Sequence, residues 1–147
     1  MSIQTHELAV STRGIADIHD LTPDIANLID AQGFDSGSAL IFVPGSTAGI
    51  TTIEYELGLV RDIQEAVERL ASSNKTYHHD ARWGDGNGFS HVRAALLGPG
   101  ITVPISGGRL LLGTWQQIIL IDFDNRARKR TILVQLQGEF KNDNGVQ

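Results

Sequence analysis

The chain has 147 residues, 41% of them hydrophobic and 20% charged, with a formal net charge of −5 and no cysteine. That length suits one domain with one core, and the balance of apolar and charged residues is that of a globular chain. The missing cysteines exclude a disulfide scaffold and a thiolate zinc site, and the negative charge argues against a broad nucleic-acid surface.

In chain order, residues 2–12 alternate as a strand. The N-terminus lacks a basic region leading into an apolar one, and no apolar run reaches the roughly 18 residues of a membrane span, so a cytoplasmic location is the default expectation. Thr22-Pro23-Asp24 reads as a helix start: threonine can cap, proline fits the first turn and aspartate suits the dipole. Leu21, Ile25, Leu28 and Ile29 then repeat at helical spacing, and Gly33 ends the helix. Ser38–Val43 reads as a buried strand stopped by Pro44-Gly45.

A second helix is expected between about Leu57 and Ser72. Leu59, Ile63, Ala66, Val67 and Leu70 form its apolar stripe, and Arg61, Asp62, Glu65, Glu68 and Arg69 its wet face. Asn74–Gly88 reads as a loop and His91–Leu97 as a short helix. Ile101–Ile105, Leu110–Leu112, Gln116–Phe123 and Arg130–Gln137 read as strands, with turns at Ser106-Gly107-Gly108 and Asp124-Asn125-Arg126. Trp115 is most simply a core residue or the wall of a pocket. Helices and strands do not alternate regularly, so α+β is favoured over a doubly wound fold. Without repeats or linkers, residues 1–140 form a single domain and 141–147 a frayed tail.

Three of the five histidines, His78, His79 and His91, lie within 14 residues, with Asp80 and Asp85 between them. Imidazole nitrogens and carboxylate oxygens suit zinc or another divalent ion. The spacing matches no standard zinc signature, and a solvated polar loop is an equal alternative. Asp85-Gly86-Asn87-Gly88 lacks the remaining ligands of a calcium loop and reads as a tight turn. Pro44-Gly45-Ser46-Thr47-Ala48-Gly49 offers backbone N–H groups and hydroxyls to an anion, but it is no P-loop and a plain strand-to-turn connection competes. Glu54, between Ile53 and Tyr55, is a candidate base or ligand, although surface glutamates are far commoner. Arg126, Arg128, Lys129 and Arg130 read as a solvated hairpin tip, or more sharply as an anion site.

The ordered set Val43-Pro44-Gly45-Ser46-Thr47-Ala48, Glu54, Tyr77-His78-His79-Asp80, Asp85-Gly86-Asn87-Gly88, Ser90-His91, Leu97-Gly98, Val103-Pro104-Ile105, Gly113-Thr114-Trp115-Gln116 and Gln137-Gly138-Glu139 resembles the YjbQ family, also called the secondary thiamine-phosphate synthase family. The resemblance spans about Ile3 to Glu139. It implies a compact α+β domain with a mixed, barrel-like sheet and two main helices, assembled as a homotrimer. It also implies a metal-associated site at His79, Asp80 and His91, with Glu54 and Asp85 nearby. The activity associated with the family is a weak thiamine-phosphate synthase, which joins a pyrimidine diphosphate to a thiazole phosphate and releases pyrophosphate. Many members have a histidine where this chain has Gly45, and the expectation here is that His78 replaces that imidazole from a different backbone position.

Three functions follow. The first is a metal-dependent enzyme on phosphorylated small molecules. His79, His91 and His78 would hold zinc, or magnesium for diphosphate chemistry; Glu54, Asp80 and Asp85 would orient ligands or move protons, and Ser46, Thr47 and Arg109 would hold phosphate. The second is a structural or sensing metal site in a homotrimer, without catalysis. The third is an anion-binding trimer without metal.

Overall fold

The computed structural model describes residues 1–142. Its strands are β1 (Ser2–Thr12), β2 (Asp17–Asp20), β3 (Phe34–Phe42), β4 (Ala48–Ile53), β5 (Gly100–Ser106), β6 (Arg109–Leu110), β7 (Gln117–Asp122) and β8 (Arg128–Phe140). Its helices are α1 (Thr22–Ala31), α2 (Leu57–Leu70), α3 (His78–Trp83) and α4 (Gly88–Leu97). The fold is α+β, as expected. The strands form one sheet in the order β1-β8-β3-β5-β6 and a smaller one in the order β2-β7-β4.

Strand β7 explains the layering. It carries Ile118, Ile119, Leu120 and Ile121 in succession, so neither face tolerates water. Ile118 and Leu120 enter the core between the two sheets, where Ile41, Val103, Ile132 and Val134 of the larger sheet meet Ile25 and Ile29 of α1. Ile119 and Ile121 face the other way, onto Ala94 and Leu97 of α4 and Ile63 and Val67 of α2. Each such buried aliphatic side chain contributes roughly 1.5–3 kcal/mol.

The sheets are antiparallel at every pair rather than mixed. The reason lies in the connections. The helical segments after β2 and β4 carry the chain from one sheet to the other, instead of returning it parallel within the same sheet.

Three elements differ from the sequence reading. β2 and β4 are additional strands, each paired along its length with β7. Their apolar signal is weak because the neighbouring strand supplies the burial. The six-residue α3 lies inside the stretch expected to be loop. At α1 the cap is Leu21, not Thr22. The Thr22 hydroxyl instead accepts from the Ile118 N–H at 2.8 Å, which pins the helix start to β7. Trp115 is 73% exposed rather than core, because it lies in the turn before β7 and not on the strand. Most of the expected tail, residues 143–147, lies outside the described residues. No helix among the described residues is long and apolar enough to cross a membrane.

Candidate metal centre

The segment from Tyr77 to His91 is folded by Asp80. At the third position of α3 its Oδ2 accepts the Tyr77 N–H at 3.2 Å, closing the helix start. Its Oδ1 accepts the Gly88 N–H at 2.8 Å, which ties the start of α4 back to α3. Only glycine fits at position 88, since a Cβ there would fall 2.6 Å from Tyr77 Cβ and 3.0 Å from Asp80 Oδ1. Gly84 ends α3 in the left-handed conformation, with φ 70°.

This hairpin of short helices returns Asp85 onto His79. His79 Nδ1 lies 3.7 Å from Asp80 Oδ1 and 3.5 Å from Asp85 Oδ1. One donor atom from each of the three residues lies within 4.8 Å of the others. Ligands on a tetrahedral ion at about 2.1 Å stand roughly 3.4 Å from one another, close to the 3.7 and 3.5 Å that separate His79 Nδ1 from the two carboxylates. His79 Nδ1 is also buried without a hydrogen-bond partner among the described residues. Such a nitrogen costs about 1–3 kcal/mol unless something meets it, and the donor set therefore fits a metal. The Gly88 N–H, with the Tyr77 N–H, holds the Asp80 carboxyl below the usual carboxylate range. Asp80 is thus an ionised ligand candidate at neutral pH, not a proton donor.

His91 arrives from the first half of α4, and its ring stacks on His79 with centroids 4.4 Å apart and a 38° tilt. His78 stands at the first position of α3, exposed and outside the three-residue group. Glu54 lines a different depression, with Asp20, Tyr55, Glu56, Thr114, Trp115 and Gln117. Arg109 lies on β6, paired with Ser106 beside the Gly107-Gly108 turn. Ser46 is exposed, whereas Thr47 is buried.

Thr47 belongs to a buried ionic network that the sequence reading missed. Arg130 grips Asp122 side-on, with Nε and Nη2 each donating at 2.8 Å. Nη2 also donates to the Thr47 hydroxyl at 2.7 Å, and that hydroxyl donates to Asp124 Oδ2 at 3.1 Å. Arg128 Nε donates to Asp124 Oδ2 at 2.8 Å, and the Thr12 hydroxyl to Asp122 Oδ2 at 2.6 Å. Burial alone would raise both carboxyls; for Asp122 the Arg130 and Thr12 donors outweigh it, and for Asp124 the Asn125 N–H and Arg128 do, so both fall below the usual range. Arg128 and Arg130 are therefore not the solvated hairpin tip that their clustering suggests. A legible signal existed: Asp122 and Asp124 end an apolar strand, and a buried acid demands a cation.

The same turn holds the candidate centre. Asn125 Nδ2 donates to the Asp85 carbonyl at 2.9 Å, and the Ser90 hydroxyl to the Phe123 carbonyl at 2.6 Å. Between them the Asn87 carboxamide lies between two carboxylates. In one amide orientation it donates to Asp124 Oδ1 at 3.3 Å; in the other it reaches both Asp85 oxygens, at 3.1 and 3.2 Å.

The fold is a two-sheet α+β domain with a His/Asp cluster at the α3–α4 hairpin. Residues 6–139 match the model of the UPF0047 protein YjbQ-like family, and the chain belongs to it. A UPF0047 protein of Archaeoglobus fulgidus is 35% identical over 130 residues, covering 88% of this chain and 99% of the relative. UPF0047 protein YugU of Bacillus subtilis is 31% identical over 132 residues, covering 89% and 97%. Among solved structures, a YbjQ-like protein of unknown function from Sulfolobus solfataricus superposes with a TM-score of 0.88 at 31% identity, covering 94% of this chain and 99% of that one.

Proposed function

We propose that the chain is a metal-associated enzyme acting on phosphorylated small molecules, with a thiamine-phosphate-synthase type of reaction as its specific form. The observation that carries the reading is the buried His79 Nδ1, without a hydrogen-bond partner among the described residues and near the Asp80 and Asp85 carboxylates. His79, Asp80 and Asp85 would hold a divalent ion, zinc by donor type, with His91 stacked beside them. When bound, such an ion supplies Lewis-acid stabilisation of a departing diphosphate. The chain's own residues orient the donors: Gly88 and Tyr77 fix Asp80, and Asn125 fixes the backbone at Asp85.

The test has two readouts. Untagged protein is analysed by ICP-MS, and then assayed for pyrophosphate release from a pyrimidine diphosphate and a thiazole phosphate, with and without chelator. Stoichiometric metal and chelator-sensitive release support the reading. A metal-free protein with no cation affinity removes it, and a metal-loaded protein without release removes the synthase form.

A second reading has its own observation. Leu57, Leu70, Leu96 and Trp115 are 81%, 74%, 69% and 73% exposed, apolar side chains that a subunit contact would cover. The alternative is a non-catalytic homotrimer holding the same ion. It predicts a trimeric mass by light scattering that falls, or a melting temperature that drops, on adding EDTA.

A further inference from the structure

We propose that Arg130 and the Gly45-Ser46 backbone form a recognition point for a phosphoryl group. This deepens the phosphorylated-substrate reading but does not depend on the metal. Arg130 is 91% buried by its side-chain exposure of 9%, and its Nε and Nη2 are committed to Asp122 and Thr47. The remaining nitrogen, Nη1, has no acceptor among the described residues. It is nevertheless not a sealed-in orphan, since His79 Nδ1 alone has that status among them.

Nη1 is the one atom near the place where a Gly45 Cβ would stand, at 3.0 Å. Because residue 45 is glycine, it has no side chain to cover Nη1 on that side. Gly45 and Ser46 are exposed, and neither N–H meets an acceptor among the described residues. Uncommitted backbone N–H groups next to a residue that touches a guanidinium edge supply donors suited to an oxyanion. The guanidinium is also locked in place before any ligand arrives, which reduces the ordering cost of binding.

The recognition point is coupled to the candidate centre. Arg130 bonds Thr47, Thr47 bonds Asp124, and Asp124 faces Asn87, which faces Asp85. Thr47 therefore contributes through its partners and not through a free hydroxyl.

The test titrates inorganic phosphate, pyrophosphate and acetate into chelator-treated full-length protein by isothermal calorimetry. Saturable binding of the phosphates over acetate is expected. Gly45→Ala sets a methyl group against Nη1, and Arg130→Lys keeps a cation for Asp122 but presents no second nitrogen. Each variant that circular dichroism shows to be folded is expected to bind about tenfold more weakly or worse. His78→Ala, which changes an exposed side chain outside both groups, is expected to bind phosphate as the parent does. The proposal is overturned by absent saturable binding, by folded variants with parental affinity, by acetate binding equally well, or by loss of binding in His78→Ala.

Discussion

The Asn125 carboxamide donates to the Asp85 backbone carbonyl at 2.9 Å, across a sequence separation of 40 residues. That bond joins the β7–β8 turn to the loop that brings a carboxylate to His79 Nδ1. Phe123 and Asp124 reinforce it at Ser90 and Asn87. The candidate centre is therefore set by the end of β7 as much as by the helices that carry its donors.

Removing the Asn125 side chain leaves the donors present but unanchored. Asn125→Ala is expected to weaken zinc binding about tenfold, as measured by competition with a fluorescent chelator. It should lower unfolding free energy by only about 1 kcal/mol, the worth of one neutral hydrogen bond. Unchanged zinc affinity would show that the turn does not position Asp85.

The two adjacent histidines separate cleanly. His79→Ala takes away the buried Nδ1 and is expected to abolish stoichiometric metal by ICP-MS. His78→Ala changes an exposed side chain outside the donor group and is expected to retain it. Loss of metal in His78→Ala would restore the idea that it stands in for an imidazole at Gly45.

Asp124 has no exposed side-chain surface and bonds Thr47 and Arg128. Asp124→Ala leaves Arg128 and the Thr47 hydroxyl without their acceptor, next to a still-buried Arg130. Breaking a buried pair from one side costs about 3–5 kcal/mol, and urea denaturation should register a loss of that order. A loss below 1 kcal/mol would mean that water replaces the carboxylate.

Acid should destabilise the fold through the same pair. Asp122 and Asp124 titrate lower in the folded chain than the ordinary 3.8. A depressed folded-state carboxyl contributes stability that is present above the unfolded value and is lost as pH falls through the folded one. Melting temperature from these groups should thus hold from neutrality to about pH 4 and fall below it. In Asp122→Asn, Asp124→Asn the slope of that fall should be shallower; an identical slope would assign acid unfolding to other groups.

The sequence by itself determined the α+β class, the cores of α1, α2 and α4, and most of the second-half strands, because those rest on local periodicity and turn residues. It also marked His78, His79 and His91 as candidate metal donors and Glu54, Asp80 and Asp85 as carboxylates beside them, since side-chain chemistry is visible in any conformation; the group that the structure brings together is His79, Asp80 and Asp85. Tertiary structure alone decided which donors meet. His79 and Asp85 converge because Asp80 clasps Gly88 and Asn125 holds Asp85, while Glu54 goes to another depression and His78 to solvent. It also turned Arg130 from part of a basic hairpin tip into the buried partner of Asp122, and Arg128 into the half-buried partner of Asp124, because the two acids end β7 inside the fold.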